Sequence, residues 1–417
     1  MHVIVVGGGI GGLALAAGLR RHGIEVSVFD RDRDIARTGG YHITLDGRAL
    51  AALHELVVPE IYERLLRSSS ALRLRAPDAF WDRHGRLLGH GPRLDENPGV
   101  DIDRITLRTI LADAVGADLH LGTPVTEITR AGAPRALLAD GKAVQGDLLV
   151  GADGAHSLVA RRLAGHPTNE PTGIIGFSGR TTADDLRAAE RHRLGSRSSM
   201  VIGPRTTALY IGYLDPVGNA VLDAPGPREA ITAGPTYIWG AMFPESTATD
   251  ALRAAAGGAL RSALLAAYDR AGWRRSGLEV VERADPGSIA AFRFNAASTR
   301  AGDLAPWPAG VVTALGDAVH ATPPTAGMGA GAAIRDAASL VTNLRAVAAG
   351  TVTLPVAVSR FEADMRVRGS EVLRAAMRTI RLMRATGSPV GAATTIATAS
   401  VLSTVHMLRS RTGSGTR

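Results

Sequence analysis

The first thirty residues combine short apolar runs with one glycine-rich turn. The run His2–Val6 is continuously apolar over its last four positions, as in a buried strand. Residues 13–22 show helical periodicity, and Gly23 follows them where helices often end. Residues 24–29 then alternate into a second strand that ends at Asp30. The pattern predicts a β-strand, an α-helix and a second, parallel β-strand at the start of the chain.

Two later apolar runs, residues 148–150 and 311–315, are typical of buried strands, and each leads into a turn of glycine and aspartate. Between them, residues 171–282 change to shorter pieces separated by arginines and turn residues, which predicts a second, mainly β domain. The strand-like pieces are 174–182, 208–214 and 236–243, and the helical piece is 251–270. Apolar residues at helical spacing over 361–380 predict a helical C-terminal region.

The composition narrows the function classes. The chain has 417 residues, of which 49 are glycine and none is cysteine. Disulfides, thiolate metal sites, iron–sulfur clusters and a cysteine nucleophile are therefore excluded, and a cytoplasmic location is expected. The net charge of +8 raises the question of nucleic acid, but the arginines occur singly or in pairs and only 4% of residues are aromatic. We expect a solvated arginine surface and no nucleic-acid partner.

Two apolar segments have to be distinguished from a signal peptide and a membrane span. The apolar N-terminus has no cationic region before it, and glycines interrupt it, so a signal peptide is not predicted. Residues 388–405 contain many Ser and Thr, which favours a packed helix over a membrane span. We expect no membrane span and a polar, disordered tail at residues 409–417.

The first motif with chemical meaning lies between the first strand and the first helix. Gly7, Gly9 and Gly12 form a GxGxxG turn, which lets backbone approach a pyrophosphate and leaves the helix N-terminus free to bind it. Asp30 follows Gly12 by 18 residues at the tip of the second strand, where a carboxylate can accept from ribose hydroxyls. Strand, helix, second strand and acid together predict dinucleotide binding.

The second motif follows the strand at 311–315. Gly316 and Asp317 end this strand, and the loop 323–331 is rich in proline and glycine and opens a further helix. Asp317 can accept from the hydroxyls of a nucleotide, and the N-terminus of the helix can stabilise negative charge. A loop that needs glycine for packing alone is the competing interpretation.

The third motif, Gly151-Ala152-Asp153-Gly154, follows the strand at 148–150. The helix after it can place Ser157 and Arg161 on one face. An ordinary capped turn would have the same sequence.

The three motifs, in this order and at these positions, resemble the signatures of the group A flavoprotein monooxygenases, the para-hydroxybenzoate hydroxylase-like family. The likeness extends to Arg104, to Pro306-Trp307 and to the helix start Arg360-Phe361-Glu362. Residues 39–45 and 101–108 look closest to the tetracycline-inactivating branch. Two positions depart from the family pattern: Asp30 stands where glutamate is commoner, and Gly331 stands where asparagine is usual.

The resemblance implies an α/β fold with a Rossmann-like GR2-type FAD-binding domain, an inserted, mainly β substrate domain and a C-terminal helical segment. The expected FAD-binding domain comprises 1–70, 100–170 and 283–350, the substrate domain 71–99 and 171–282, and the C-terminal helices and tail 351–417. It also implies one noncovalent FAD, NADPH or NADH as a transient electron donor, and O2. The expected reaction is hydroxylation or epoxidation through a C4a-hydroperoxyflavin.

The resemblance also suggests site residues. The expected FAD-binding residues are Gly7, Gly9, Ile10, Gly11, Gly12, Asp30, Arg31, Arg37, Arg104, Val125, Asp153, Gly316, Asp317, Pro324, Gly327, Met328, Gly329, Ala330 and Gly331. The expected substrate-binding residues are Arg180, Tyr213, Trp239 and Met242 on strands of the second domain. The candidate bases are His320, Tyr213 and Tyr210, although a structural role is favoured over a catalytic one for His320. No metal is expected.

The expected substrate is a bulky, largely apolar, natural-product-like organic molecule, and the expected assembly is a monomer or homodimer. Three alternatives share the fold. A flavin halogenase would carry a WxWxIP segment, which the sequence lacks. A saturating reductase, and a redox-silent cyclase in which FAD is structural, are left open by the sequence.

Overall fold

A computed structural model describes residues 1–36, 42–130, 132–216, 234–385 and 387–388. Arg37, the glycine pair at 39–40, most of the apolar stretch 388–405 and the tail 409–417 lie outside the described residues. The strands are β1 (His2–Val6), β2 (Glu25–Phe29), β3 (His42–Leu45), β4 (Ser70–Ala71), β5 (Ala79–Asp82), β6 (Leu87–His90), β7 (Val100–Asp103), β8 (Leu119–His120), β9 (Val125–Thr129), β10 (Arg135–Leu138), β11 (Ala143–Gln145), β12 (Leu148–Gly151), β13 (Glu170–Thr182), β14 (Ser199–Ile202), β15 (Ala208–Leu214), β16 (Thr236–Pro244), β17 (Ala290–Ala296) and β18 (Val312–Ala314).

The helices are α1 (Ile10–Arg21), α2 (Gly47–Leu56), α3 (Pro59–Arg67), α4 (Arg104–Val115), α5 (Leu158–Ala164), α6 (Ala188–Leu194), α7 (Thr247–Ala254), α8 (Gly257–Arg270), α9 (Glu279–Glu282), α10 (Asp317–His320), α11 (Gly329–Ala348) and α12 (Leu354–Ala385). The predicted helix at 251–270 is wrong in one respect, because it is two helices. The chain is extended at Ala255 and Ala256, and Gly257 has a φ of 55°.

A parallel sheet in the order β18-β12-β1-β2-β8 forms the first layer. Its strands are apolar at nearly every position because helices cover both faces of a parallel sheet of this kind. Helix α1 packs on α11 and α4, and α11 packs in turn on α2 and α12. Asp103 accepts from the N–H groups of Ile105 and Thr106 and so caps α4, as the sequence predicts.

The second layer is a seven-stranded sheet in the order β17-β13-β16-β15-β14-β5-β6. Strands β5 and β6 come from the segment between α3 and β7, so the chain enters this sheet twice. One face packs on α8 and α9 around Trp239 and Tyr268. The other face packs on the second half of α12 and forms what we call the methionine-rich cluster. Its members are Ile174, Met200, Ala208, Tyr210, Met242, Phe292, Phe294, Met377, Ile380 and Met383.

The α/β architecture, with a Rossmann-type domain, a mainly β second unit and a helical C-terminal segment, is thus confirmed. Within the part of the chain that the structure describes, no helix is both long and apolar enough to cross a membrane.

Candidate active site

The three glycine-containing turns meet at one edge of the parallel sheet. Strands β1, β12 and β18 run parallel, so the turns that follow them leave from the same end. A Cβ atom built on Gly7 would overlap the carbonyl oxygen of Ala152, and one built on Gly11 would lie 2.8 Å from Leu315 Cδ1. The N–H of Leu315 donates to the carbonyl of Gly151. In open α/β sheets this carboxyl edge is where ligands bind.

The first turn presents an open helix N-terminus. Gly7 has a φ of 109°, and a Cβ on Gly12 would overlap the carbonyl oxygen of Gly7, so both positions require glycine. Gly9 precedes α1 without a side-chain cap, and the first turn of α1, which starts at Ile10, has no acidic residue. Among the described residues, a Cβ on Gly9 would meet only the carbonyl oxygen of Ala152, at 3.8 Å. The free N–H groups and the open space above them fit a pyrophosphate.

Asp30 lies at the tip of β2 and is held rigidly. Its carboxylate accepts from the N–H of Gly8 at 2.5 Å and from the N–H of Asp32 at 2.7 Å. The buried guanidinium of Arg108 lies 3.4 Å from the same carboxylate, and its Nε donates to the carbonyl of Gly8 at 2.8 Å. The Asp30 carboxylate is therefore fixed in position beside the first turn.

The sequence motifs do not predict a role for Arg108. It lies on α4 among Leu107, Ile110 and Leu111, which are fully buried. A single cation within an apolar helical run is the signal that could have identified it, because a buried cation needs a partner. Of the other predicted FAD-binding residues, Arg31 is exposed, and Val125 opens β9 in a half-buried position.

The turn after β18 brings Asp317 to the N-terminus of α11. Asp317 is exposed, and its Oδ1 lies 3.8 Å from a Cβ built on Gly329. Protein atoms packed around the Asp317 carboxyl remove part of its hydration and raise its pKa, although the residue keeps a solvent-accessible face, and the His320 imidazole opposes this shift. Helix α11 has no side-chain cap and no acidic residue in its first turn, where Ala330 and Gly331 follow Gly329. The end of this 20-residue helix is therefore free to stabilise a negative charge.

The loop that connects α10 with α11 has a defined conformation. Pro324 opens a short 3₁₀ turn, and Gly327 follows it with a φ of 63°. Thr325 donates its hydroxyl to the carbonyl of Ala376 on α12, at 3.1 Å. The loop leads through Met328 into α11 and connects the carboxyl edge with the helix that bounds the methionine-rich cluster.

His320 is placed in the protein interior and not in a reaction space. Its ring is fully buried, and its Nε2 lies 2.6 Å from Asp336 Oδ2. Asp336 also accepts from the N–H of Gly316 at 3.0 Å and from Arg368 Nε at 2.8 Å. A Cβ on Gly369 would lie 2.9 Å from His320, so α12 packs directly on the ring. We therefore withdraw His320 as a candidate base: it shapes the turn after β18.

The Asp153 carboxylate is engaged within its own turn. It accepts from the Ser157 hydroxyl and from the N–H of Leu158 at 2.7 Å, and Ser157 caps α5. The backbone nitrogen of Asp153 lies 2.7 Å from a Cβ built on Gly7, so the turn itself touches the first motif. Asp153 therefore contributes to the site through the position of its backbone and not through its carboxylate. Arg104, at the start of α4, contributes a positive charge that opposes the upward shift in the pKa of Asp317.

The four predicted substrate residues divide between the two faces of the seven-stranded sheet. Met242 belongs to the methionine-rich cluster. Arg180 shares its face of β13 with Gly176, where a Cβ would lie 2.7 Å from the Phe292 ring. Trp239 packs in the opposite core, and the ring of Tyr213 lies 5.4 Å from that of Tyr237 in the same core. Tyr213 and Trp239 are therefore withdrawn as substrate and catalytic candidates.

An edge of this kind, with three glycine turns, two open helix ends and two aspartates, defines a dinucleotide-binding α/β flavoprotein class. Comparison with known proteins agrees. The family model described as "FAD binding domain" matches residues 1–202 and 282–364. The aurachin C monooxygenase/isomerase of Stigmatella aurantiaca is 30% identical over 392 residues, which cover 90% of this chain and 88% of the relative. The chain belongs to the FAD-binding group A flavoprotein monooxygenase family.

Two further comparisons define the limits of this likeness. The chloroplastic zeaxanthin epoxidase of Oryza sativa subsp. japonica is 29% identical over 362 residues, which cover 82% of this chain and 48% of the relative. The Klebsiella pneumoniae HpxO structure with FAD and uric acid has a TM-score of 0.75 and 21% identity, and covers 96% of this chain and 92% of that one. The chain spans 39% to 48% of the length of three of the curated relatives that it matches.

Proposed function

We propose that the protein is a monooxygenase that uses FAD, NADPH or NADH, and O2 to hydroxylate or epoxidise a bulky, largely apolar organic substrate. The observation that carries this proposal is the position of the methionine-rich cluster, which is joined to the glycine loop 323–331 through the Thr325–Ala376 hydrogen bond. The names of the aurachin C monooxygenase/isomerase and the zeaxanthin epoxidase support oxygen transfer to natural-product-like molecules.

The residues of the chain divide the task. Bound FAD supplies the hydride and oxygen chemistry, and the protein supplies position and electrostatics. The N-terminus of α1 would hold the pyrophosphate, and Asp30 and Asp317 would accept from hydroxyl groups of the nucleotide. The N-terminus of α11 would stabilise negative charge. The methionine-rich cluster holds the substrate and excludes water.

The domain boundaries predicted from the sequence remain proposals of the same kind, as do the monomeric or homodimeric assembly and the cytoplasmic location. Strands β5 and β6 join the seven-stranded sheet, which supports placing 71–99 in the substrate domain. The two later boundaries differ from the packing. Strand β17, within 283–350, pairs with β13 of the seven-stranded sheet, and Val358, Phe361, Met365 and Leu373, within 351–417, pack in the core of the parallel sheet.

The proposal is tested by following NADPH and NADH oxidation and O2 consumption by the flavin-loaded protein with a panel of apolar aromatic and polyene compounds. We expect at least one compound to stimulate both, with a product that contains one added oxygen atom. A flavin-loaded protein that oxidises neither nucleotide with any compound would contradict the proposal and favour the redox-silent cyclase. Reduction of a substrate double bond without O2 would favour the reductase.

A further inference from the structure

The central strands β13, β15 and β16 each place a glycine on the face that carries the methionine-rich cluster. Two of these glycines make room for side chains of the protein: a Cβ on Gly176 would overlap the Phe294 ring, and one on Gly212 would lie 2.5 Å from the His42 ring. Gly240 on β16 differs from both. Among the described residues, no atom lies within 4 Å of a Cβ built on Gly240, so the space above this position is unfilled.

The strand register sets the borders of this space, which we call the Gly240 gap. Gly240 is paired with Ser178 of β13 on one side and with Tyr210 of β15 on the other. Directly opposite residues point to the same face of a sheet, and strands two apart lie about 9–10 Å from each other. Ile238 and Met242 border the gap along β16 itself. A flat, apolar part of a ligand can occupy such a space.

The Ser178 hydroxyl has no hydrogen-bond partner within the part of the chain that the structure describes. The residue is only 2% exposed. Other buried hydroxyls of β13 are paired, since Thr172 donates to the Phe294 carbonyl at 3.0 Å and Thr181 donates to the Val280 carbonyl at 2.5 Å. A buried hydroxyl without a partner is costly, so a ligand atom that pairs with it gains a hydrogen bond that the fold leaves open.

The charge beside the gap favours a hydrogen-bond acceptor as this partner. Arg180 lies on the same face of β13, two residues beyond Ser178. On β13, β15 and β16, the neighbours of Gly240 on this face include no aspartate or glutamate. A positive charge without an acid beside it attracts an oxygen with partial negative charge, to which a serine hydroxyl can donate.

We propose that the Gly240 gap is a substrate subsite that takes a flat, apolar ring system, and that the Ser178 hydroxyl donates to a carbonyl oxygen on that ring. This inference rests on the proposed function and names the class of its substrate, an uncharged cyclic ketone. Gly240 sets the space that is available to the ring, and Ser178 selects the carbonyl group. Both residues determine specificity, and neither takes part in oxygen transfer.

The test uses two matched flat probes, 9-fluorenone and fluorene, which differ by a carbonyl group in place of a methylene group. Equilibrium dialysis measures the binding of each probe to the flavin-loaded protein, without NADPH or NADH. We expect Ser178→Ala to weaken the binding of fluorenone about five- to tenfold, as the loss of one hydrogen bond produces, and to change that of fluorene less than about twofold. Ser199→Ala is the matched control and should change neither, because this serine is equally buried but pairs with Trp81 on the opposite face.

Gly240→Val tests the gap itself. Valine suits a strand, and its Cβ would meet no described atom, so the variant should fold and keep its flavin. It should weaken both probes by about tenfold or more, because its side chain occupies the space that they take.

Three results would overturn the subsite: a wild-type protein that binds neither probe, an equal loss of both probes or no loss in Ser178→Ala, or unchanged binding in Gly240→Val. Flavin content is measured on each variant, so a misfolded protein is recognised by loss of FAD. Failure of the proposed monooxygenase function is distinguishable, because it would appear as a protein that binds the probes as expected but oxidises neither NADPH nor NADH with any compound. An absent subsite would leave that oxidation intact.

Discussion

At the scale of single residues, Asp336 organises the turn after β18 more than any group in the motif itself. One fully buried carboxylate accepts from the backbone of Gly316, from His320 and from Arg368. Glycine and aspartate at 316 and 317 give the turn its local shape, while Asp336 and α12 fix where it points. The cofactor edge therefore depends on a residue that does not face it.

Replacing Asp336 by Asn should destabilise the protein strongly. The change leaves His320 and Arg368 as buried donors without a charged partner, and breaking a buried ion pair costs about 3–5 kcal/mol of unfolding free energy. Urea denaturation measures the loss, and the flavin-to-protein ratio should fall with it. Asp364→Asn, at an exposed position of the adjoining helix α12, is the control and should change stability little. Equal stability of the two variants would refute the role of Asp336.

The same pair predicts a pH dependence. Burial acts to lower the pKa of His320, but Asp336 outweighs it and the pKa is raised. Burial acts to raise the pKa of Asp336, but His320 and Arg368 outweigh it and the pKa is lowered. The stabilisation from His320 is complete below its unfolded pKa of about 6.5 and is lost as pH rises through the raised folded value. That from Asp336 is present above about 3.9 and is lost as pH falls through the lowered value.

His320→Asn should therefore destabilise the protein more at about pH 6 than at strongly alkaline pH. Thermal unfolding of the wild type and the variant across this range measures the difference. His166→Asn, at an exposed position, serves as the control. A destabilisation by His320→Asn that does not change with pH would show that the ring acts by packing alone.

At the scale of elements, the N-termini of helices α1 and α11 lie without side-chain caps at one edge of the parallel sheet. Helices α1 and α11 have no side-chain caps and no acids in their first turns, and they pack on each other near Gly11 and Ala333. A helix without a cap leaves N–H groups unsatisfied unless water or a ligand binds them. Ser, Thr, Asp and Asn are favoured at the N-cap position of helices, whereas Gly9 and Met328 stand there in α1 and α11. Both ends are therefore open to an anion.

Gly12 lies where α1 packs against the turn that precedes it, and this close contact leaves no room for a side chain. Gly12→Ala should lower the free energy of unfolding by about 1–3 kcal/mol, because the methyl group would overlap the carbonyl oxygen of Gly7. Chemical denaturation measures the effect. Gly258→Ala is the matched control: it lies in α8 with open space around its Cβ, and alanine there should stabilise by about 0.5–1 kcal/mol. Destabilisation by both substitutions alike would contradict the assigned contact.

At the scale of the whole molecule, α12 links the two layers. Its Glu362 accepts from Trp307 Nε1 at 3.0 Å and from the Thr313 hydroxyl at 2.8 Å, beside the parallel sheet. Near its other end Arg384 donates to the carbonyl of Thr172, at the start of the seven-stranded sheet. Both layers therefore keep a fixed relation to the loop 323–331, and the methionine-rich cluster lies where α12 crosses from one to the other.

Local signals account for what the sequence could predict. The glycine turns and the cap at Asp103 depend on neighbours in the chain, and the structure confirms them. The strand lengths are less well predicted, because β13 begins four residues before the predicted 174–182 and β18 is shorter than the predicted 311–315. The polar contacts that fix the site join distant positions, as Tyr210 and His42 do across 168 residues. The period-2 pattern separates the two faces of a strand without telling which one meets the site. Tyr213 and Trp239, for example, lie in the core around Tyr268, on the face opposite the methionine-rich cluster.

The central claim is that FAD binds where the three turns meet, and the flavin-to-protein ratio of purified variants tests it most directly. In the part of the chain that the structure describes, only the Ala152 carbonyl lies near a Cβ at position 9, so valine there would contact little in the protein but would fill the space above α1. We predict about one FAD per wild-type chain, and folded but nearly flavin-free Gly9→Val and Asp317→Ala proteins. A wild-type protein that takes up no FAD, or full flavin content in both variants, would contradict the account.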